Sequence, residues 1–459
     1  VFIDPDTSAE TPVAFRFEYN SSENAFGFRN EAGEFVNFNS GSSIDISDTT
    51  ATANTVLLGY DFYLADGTKT SGLYVPLDTS DADATASNIE LGKTAYVNGV
   101  KITGTANIVK FPVKLSNLNM STSRYNFFGE AIKDYYYVGP GQFSSTSTAV
   151  DAFDTNFTRS SVDSVVARYN GASAKISDQY CLFCGGNVYS SGSYSNIVDI
   201  FDNFGVKSSS TLSTQSFLGK GGHVGNYALV KTNASNSASS STTMALINTF
   251  DLNLTRNTFS LPNPLHQSAN FGQISNYSVM FGNLWTQYGT PVTTYGISIN
   301  DSLTCSVFYT LDNMSIANHK FAPISNKYIL IGGGQGSENA GGQVKQLYTN
   351  RIWCFDNLLT EVRCQGLWRP KDVHMSAWTD NFGLFGGGYI NKIATAQNEP
   401  DCTVDCYDGI LTHSLITPLY PGYGVTSPGR IEGLGINFNG HALFAGGQYT
   451  NIVDVYYES

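Results

Sequence analysis

A short strand-like cluster recurs along most of this chain, and its spacing restricts the fold more than any other feature. An aromatic residue or histidine leads a few apolar residues, which run into glycine. The copies are Tyr135-Tyr-Tyr-Val-Gly139, Tyr180-Cys-Leu-Phe-Cys-Gly185-Gly186, Tyr277-Ser-Val-Met-Phe-Gly282, Tyr328-Ile-Leu-Ile-Gly332-Gly333-Gly334, Phe382-Gly-Leu-Phe-Gly386-Gly387-Gly388 and His441-Ala-Leu-Phe-Ala-Gly446-Gly447. A seventh, Tyr227-Ala-Leu-Val-Lys231, keeps the strand and lacks the glycines. Successive copies start 45, 47, 50, 51, 54 and 59 residues apart. A second element follows each copy and reads apolar, polar, any, aromatic, Asp. It occurs as Val150-Asp-Ala-Phe153-Asp154, Val198-Asp-Ile-Phe201-Asp202, Ile247-Asn-Thr-Phe250-Asp251, Ile352-Trp-Cys-Phe355-Asp356 and Val404-Asp-Cys-Tyr407-Asp408. Val453-Asp-Val-Tyr456 stops short of the Asp, and Ile297-Ser-Ile-Asn300-Asp301 is degenerate.

Each unit therefore predicts several strands and tight turns. Period-two alternation in the second element predicts a strand with two different faces. Its terminal Asp is placed to hydrogen-bond its own turn, and the Leu-Thr pairs at Leu254, Leu303, Leu359 and Leu411 lead into a further strand. Glycine ends the first element where a crowded chain must turn without a Cβ. A repeat of this length lies in the range of propeller blades rather than of solenoids. The pattern resembles the kelch repeat, an apolar strand ending in Gly-Gly, over about 350 residues. The Phe-Asp element stands where kelch repeats carry a later Tyr and Trp. The resemblance implies an all-β fold: a seven-bladed kelch-like β-propeller over residues 107–459, preceded by small β-hairpin modules. The last copy ends without its outer strands. Phe111 to Asn119 is expected to supply one, closing the ring through the N-terminal side of the domain.

Composition agrees with many strands joined by polar turns. Aromatics make up 13% of the 459 residues, Gly numbers 45, and only 14% are charged. The charge is uneven: residues 1–106 hold 15 acidic and 5 basic residues, and residues 107–459 hold 23 and 20. With no basic run, nucleic acid is an unexpected partner. No apolar stretch reaches the ~20 residues of a membrane span, so membrane insertion is not expected, and no secretion-signal layout is visible. The seven cysteines do not form a small-domain disulfide framework. Cys181 and Cys184 lie three apart on a strand, facing opposite sides, and read as core thiols rather than a metal pair.

Residues 1–106 are built differently. Residues 1–50 read as a hairpin-containing attachment segment, with one hairpin between Phe26 and Phe38 turning at Glu31-Ala-Gly33. Residues 51–106 contain a tandem repeat: Val56-Leu-Leu-Gly59 through Gly72 aligns with Ile89-Glu-Leu-Gly92 through Gly104. Asp66-Gly67 and Asn98-Gly99 predict hairpin turns, and residues 83–94 suggest a short capped helix. The segment from Asp83 to Gly104 resembles one common in tail-fibre and minor structural proteins of phages that infect Gram-positive gut bacteria. That resemblance implies a virion or phage-tail-like setting. An N-terminal region would then bind other virion proteins, and a C-terminal domain would meet the host. Hairpins too small for their own core also predict packing against another chain. A homo-oligomer is expected, a homotrimer being typical of fibres.

Nothing in the chain reads as a catalytic, metal or cofactor site. The six histidines are scattered about one per repeat, without metal-ligand spacing. No Gly-x-Ser-x-Gly or P-loop occurs, and the Ser-x-Asp-x-Gly-x-Thr-Trp box of sialidases is missing. Asp78, Asp81 and Asp83 lack the spacing of a calcium loop and read as a solvated turn. For ligand binding the candidates are Trp285, Tyr288, Trp368 and Trp378, in stretches that look like inter-strand loops. Exposed aromatics stack on sugar rings and anchor interfaces; packing between blades is the alternative use. Trp353 lies inside a strand and reads as core. The leading expectation is a phage or phage-like particle protein that binds a host-surface glycan or protein. A structural fibre without a ligand and a polysaccharide-active enzyme are the alternatives.

Overall fold

In the computed structural model, twenty-eight strands of residues 113–457 pair into seven four-stranded antiparallel sheets. The structure describes residues 17–22, 24–29, 32–37, 50–75, 78–106 and 111–458, apart from 143–147, 189, 217–219, 233–242, 267–268, 284–292, 313, 341–342, 373, 393–396, 421–429 and 448–449. Two compact units result, Val1–Ile108 and Val109–Ser459. In the larger unit the first strands of the sheets are Gly129–Ala131, Ala172–Ile176, Lys220–Val224, Asn270–Ile274, Lys320–Ile324, Met375–Trp378 and Leu434–Phe438. Each touches the next, and the seventh touches the first, so the ring is closed. These are the seven blades of a β-propeller, numbered one to seven in that order, with the first strands innermost.

The repeated cluster forms the second strand of each blade, and the Phe-Asp element forms the third. In blade two, Tyr180–Cys184 pairs with Ala172–Ile176 on one side and Ser195–Asp202 on the other. The glycine pairs turn the chain off the second strand: Gly333 and Gly334 have φ of +63° and +95°. A Cβ on Gly334 would stand 2.3 Å from the Ala317 carbonyl oxygen. Closure runs as the sequence predicts: Val113–Asn119 pairs with Ile452–Tyr457 as the outer strand of blade seven. That leaves the last sheet no open edge toward the missing strand.

The turn after the third strand is built the same way in most blades. The Asp154 carboxylate accepts from the Asn156 and Thr158 amides at 2.9 and 2.8 Å. The Phe157 amide donates to the Asp154 carbonyl at 2.8 Å. The residue closing this turn is left-handed: Phe157, Leu254, Leu303, Leu359 and Leu411 have φ between 58° and 65°, and Gly205 takes the place in blade two. Blade four needs a correction of one residue. Tyr277 pairs with Asn300, as Tyr180 pairs with Asp202, and the Asn300 side chain accepts from the Ser302 and Thr304 amides. Asn300, not Asp301, is the turn residue, so Ile297 occupies the position of Asp151 and Asp199.

The third strands also correct the expected polar face. Val150 through Phe153 are all buried, Asp151 included. Its carboxylate meets Arg124 at 2.5 Å. The same pair recurs as Arg168 with Asp199, Lys371 with Asp405 at 2.9 Å, and Arg430 with Asp454. Each cation lies just ahead of the first strand of its own blade. Its nitrogens also donate to second- and third-strand carbonyls, as Arg168 does to Phe183, Gly185 and Ile197. Backbone amides of Ser121, Val165, Trp368 and Tyr420 complete the four carboxylates. Burial by itself would raise the Asp405 carboxyl. The hydrogen bond with His413, the Lys371 charge and the Trp368 amide outweigh that and hold it below the usual carboxylate range. Cys181 and Cys184 are fully buried on opposite faces of their strand, in two different core clusters.

In the smaller unit, Ala25–Arg29 pairs with Phe17–Asn20 and with Phe35–Asn37. The first of these pairings was not evident from the sequence. Residues 50–106 repeat one module. A 3-10 turn, Ala53–Thr55 or Ala86–Asn88, sits behind a reciprocal cap at Thr52 or Thr85. The hairpins Asp61–Tyr63 with Lys69–Ser71 and Thr94–Val97 with Val100–Thr103 follow. The helix expected over 83–94 is this single 3-10 turn; Gly92, at φ +80°, already belongs to the turn into the hairpin. Ala25 and Val97 are the buried hydrophobic residues among those described in this unit.

Candidate binding cavity on the propeller axis

The first strands surround a cavity of about 770 Å³ on the ring axis. Side chains on a strand alternate between faces, so one set of equivalent positions faces the axis. In blades two to seven this set is Lys175, His223, Gln273, Pro323, Trp378 and Asn437, each opposite the residue after the start of the repeated cluster. In a ring of seven, blade six stands across the axis from blades two and three. Trp378 therefore lies on the wall across the axis from Lys175 and His223, with Gln273 and Asn437 to either side; the Lys175 amine is held by the Asp178 carboxylate at 2.9 Å.

One end of the cavity is framed by residues that turn the chain into the first strands. Asn126, Asn170, Asn318 and Glu432 occupy equivalent places with left-handed φ of 53°, 55°, 58° and 58°. Asparagine tolerates this conformation because its short side chain hydrogen-bonds locally. The loops are tied edge to edge: the Asn170 amide donates to the Asn126 carbonyl at 2.9 Å, and the Asn126 amide to the Glu432 carbonyl at 3.2 Å. Glycines 129, 171, 221, 222, 272, 433 and 435 bring backbone to the wall.

Charges in the cavity are mixed and recessed. Burial raises the Glu130 carboxyl against the opposing charge of Lys175. Burial lowers the Lys320 ammonium against Asp372. His223 is pushed down to about 3 by burial and by Lys175, so its imidazole is neutral, with one donor and one acceptor nitrogen. Glu432, Glu130 and Asp380 sit at different heights. Counted along equivalent positions, Glu130 lies four residues from Glu432 and Asp380 three further. At about 3.3 Å per residue these steps are roughly 13 and 10 Å. Hydrolysis by paired carboxylates requires about 5 to 9.5 Å. Among the described residues no group of His, Cys, Asp and Glu could hold a metal ion.

Of the four aromatic residues predicted from sequence, Trp378 lines this cavity, half-buried and packed against the blade-seven core. Trp368 is not in the cavity. It is 59% exposed on the loop whose amide caps Asp405. Trp285 and Tyr288 lie outside the described residues. Trp353 is fully buried. Sequence reasoning missed the cavity asparagines and the buried cations, although Arg124-Tyr-Asn126 and Arg168-Tyr-Asn170 repeat at nearly the spacing of the strands they precede. Asp78 takes its own turn, accepting from the Ser80 amide at 2.9 Å.

No family model matches the chain, and no curated protein matches it. Among solved structures, one described as "Structure of YjhT" aligns over 74% of this chain and 95% of its own, at 12% identity and a TM-score of 0.43. A likeness at that level carries no argument, and the propeller assignment rests on strand pairing and the cyclic contact of the first strands.

Proposed function

We propose that this chain is a binding protein of a phage or phage-like particle whose propeller holds a host-surface glycan in the axial cavity. The observation that carries this reading is the placing of Trp378 across the axis from Lys175, His223 and Gln273. An aromatic residue opposite polar side chains such as His223 and Gln273 is what a sugar ring requires: stacking on its C–H face and hydrogen bonds to its hydroxyls. The spread of the three carboxylates favours binding over hydrolysis. The smaller unit suits attachment to other particle proteins or to further copies of the chain. Its two modules expose Leu58, Tyr63, Leu91 and Tyr96, each 55–65% accessible, and two-stranded hairpins need such cover.

A glycan array and host-envelope fractions probed with the full chain test this reading. Binding is expected to fall by about 10- to 100-fold in Trp378→Ala, in line with loss of an aromatic anchor, while Trp368→Ala binds like the parent. Undiminished binding by Trp378→Ala would remove the cavity from the proposal. Absence of binding to any envelope fraction would remove the receptor function itself.

A further inference from the structure

The axial cavity holds its cations against carboxylates. Lys175 and Lys320 supply the ammonium groups among its described lining residues, and no arginine is among them. The Lys175 amine meets the Asp178 carboxylate at 2.9 Å. Lys320 stands beside Asp372, a buried carboxylate that also accepts from the Asn318 amide at 3.3 Å. Burial keeps the His223 imidazole neutral. Glu130, Asp380 and Glu432 add three more carboxyl groups to the wall, so acidic groups outnumber ammonium groups five to two in and beside the cavity. Carboxamides supply most of the remaining polarity, from six asparagines and Gln273. A carboxamide both donates and accepts, as a sugar hydroxyl does. The Asn437 amide donates to the Trp378 carbonyl at 2.9 Å, which ties one of these groups to the backbone of the aromatic wall.

An anionic ligand needs what this wall lacks. Arginine forks and unpaired ammonium groups are the usual holders of phosphate and carboxylate. Here an incoming anion would lose its water without meeting a free cation, and Asp380 and Glu432 would oppose it at like charge. Resting on the glycan reading above, we propose that the cavity selects uncharged glycan chains and rejects chains that bear phosphate, uronate or sialate groups. Trp378 covers a C–H face of the sugar, the carboxamides bind its hydroxyl and acetamido groups, and the carboxylates turn anions away.

The test uses the full chain on a glycan array. Neutral chains of glucose, galactose and N-acetylglucosamine are printed beside sialylated, uronate-containing and glycerol-phosphate chains. Cavity binding is the part of the signal that both Trp378→Ala and Gln273→Ala lower. That part is expected on neutral chains, about tenfold or more above any anionic chain. It is expected to change by less than about twofold as NaCl rises from about 0.05 to about 0.5 M. The salt series is read on the parent chain, so a variant that fails to fold does not decide the result. Cavity binding of an anionic chain at equal or greater strength, or neutral binding that fades with salt, would overturn the selectivity and leave the glycan reading standing. A signal that neither variant lowers would remove the cavity from the glycan reading, and the selectivity with it.

Discussion

Blades six, seven, one and two each bury a cation beside an aspartate, whereas blades three, four and five, which complete the ring, carry Asn248, Ile297 and Trp353 where the aspartate would be. The two arcs solve one problem in different ways. Carbonyl groups beside the second and third strands and in the loops between blades lie inside the protein, and these need donors. In the first arc a cation from the same blade supplies them and an aspartate balances its charge. At the seam of blades three and four a neighbour does so. Lys231, from the second strand of blade three, is fully buried and donates to the Ala269 carbonyl of the blade-four loop at 2.6 Å. Asn248 is bonded to Thr232 at 2.9 Å. In blade five the buried indole of Trp353 fills the space and lies under the Arg351 guanidinium, 4.8 Å from the ring centre. An ion pair thus serves where the charge can be matched within a blade, and apolar volume serves where it is not.

The largest break in this comparison is expected from Arg168→Met. It leaves Asp199 buried without its cation and takes one donor from each of three carbonyls, so a loss of about 3–5 kcal/mol follows. Asn248→Ala in the other arc forfeits two neutral hydrogen bonds, one from the Ser213 amide and one to the Thr232 hydroxyl, and costs about 1–2 kcal/mol. Urea unfolding of the two variants beside the parent decides the matter. Equal losses would mean that the ion pairs are no more committed than the neutral contacts.

The repeat, the strand order and the closing outer strand were legible in the sequence because they depend on apolar periodicity and turn residues, which are local. The ion pairs were not. Asp151 and Asp199 alternate with apolar neighbours, and alternation on one strand looks the same whether its polar side meets water or a buried guanidinium. Arg124 and Arg168 are 27 and 31 residues away from them. The register of blade four was misread because Asn300 does the work of an aspartate. The cavity was half legible: Trp378 was picked out as an aromatic residue in an apparent loop. Its partners Lys175, His223 and Gln273 come from three other blades, and only ring closure brings them opposite.

A smaller effect separates blades three and four from blade one by pH. Burial holds His266 down at about 4, with the Lys231 charge adding to it, and holds His223 at about 3. An unfolded histidine titrates near 6.5. Between those values the unfolded chain binds protons that the folded chain does not, so stability falls as pH falls from about 6.5 toward 4. Blade one, residues 129–163, contains no histidine. Acidification from pH 7 to 5 is therefore expected to speed amide exchange in blades three and four before it does so in blade one, after correction for intrinsic rates. Simultaneous loosening would show that the ring responds to acid as one unit.

The smallest effect concerns a feature that both arcs share, the left-handed residue closing the turn after the third strand. Leu359 in blade five has φ of +62° and packs against the core that holds Phe355, while blade two places Gly205 there at +74°. A left-handed leucine carries about 1–2 kcal/mol of strain, and its burial returns a similar amount. Leu359→Gly relieves the strain, loses the packing and gains chain entropy in the unfolded state, for a net change within about 1 kcal/mol. Leu359→Ala loses most of the packing and keeps the strain, so it is expected to cost more, about 2 kcal/mol. Alanine would then be worse than glycine, the reverse of their usual order inside a strand. Thermal unfolding of the two variants reads that order directly. If alanine proves the better residue, packing rather than backbone conformation sets the turn, and the leucines of both arcs are there for the core alone.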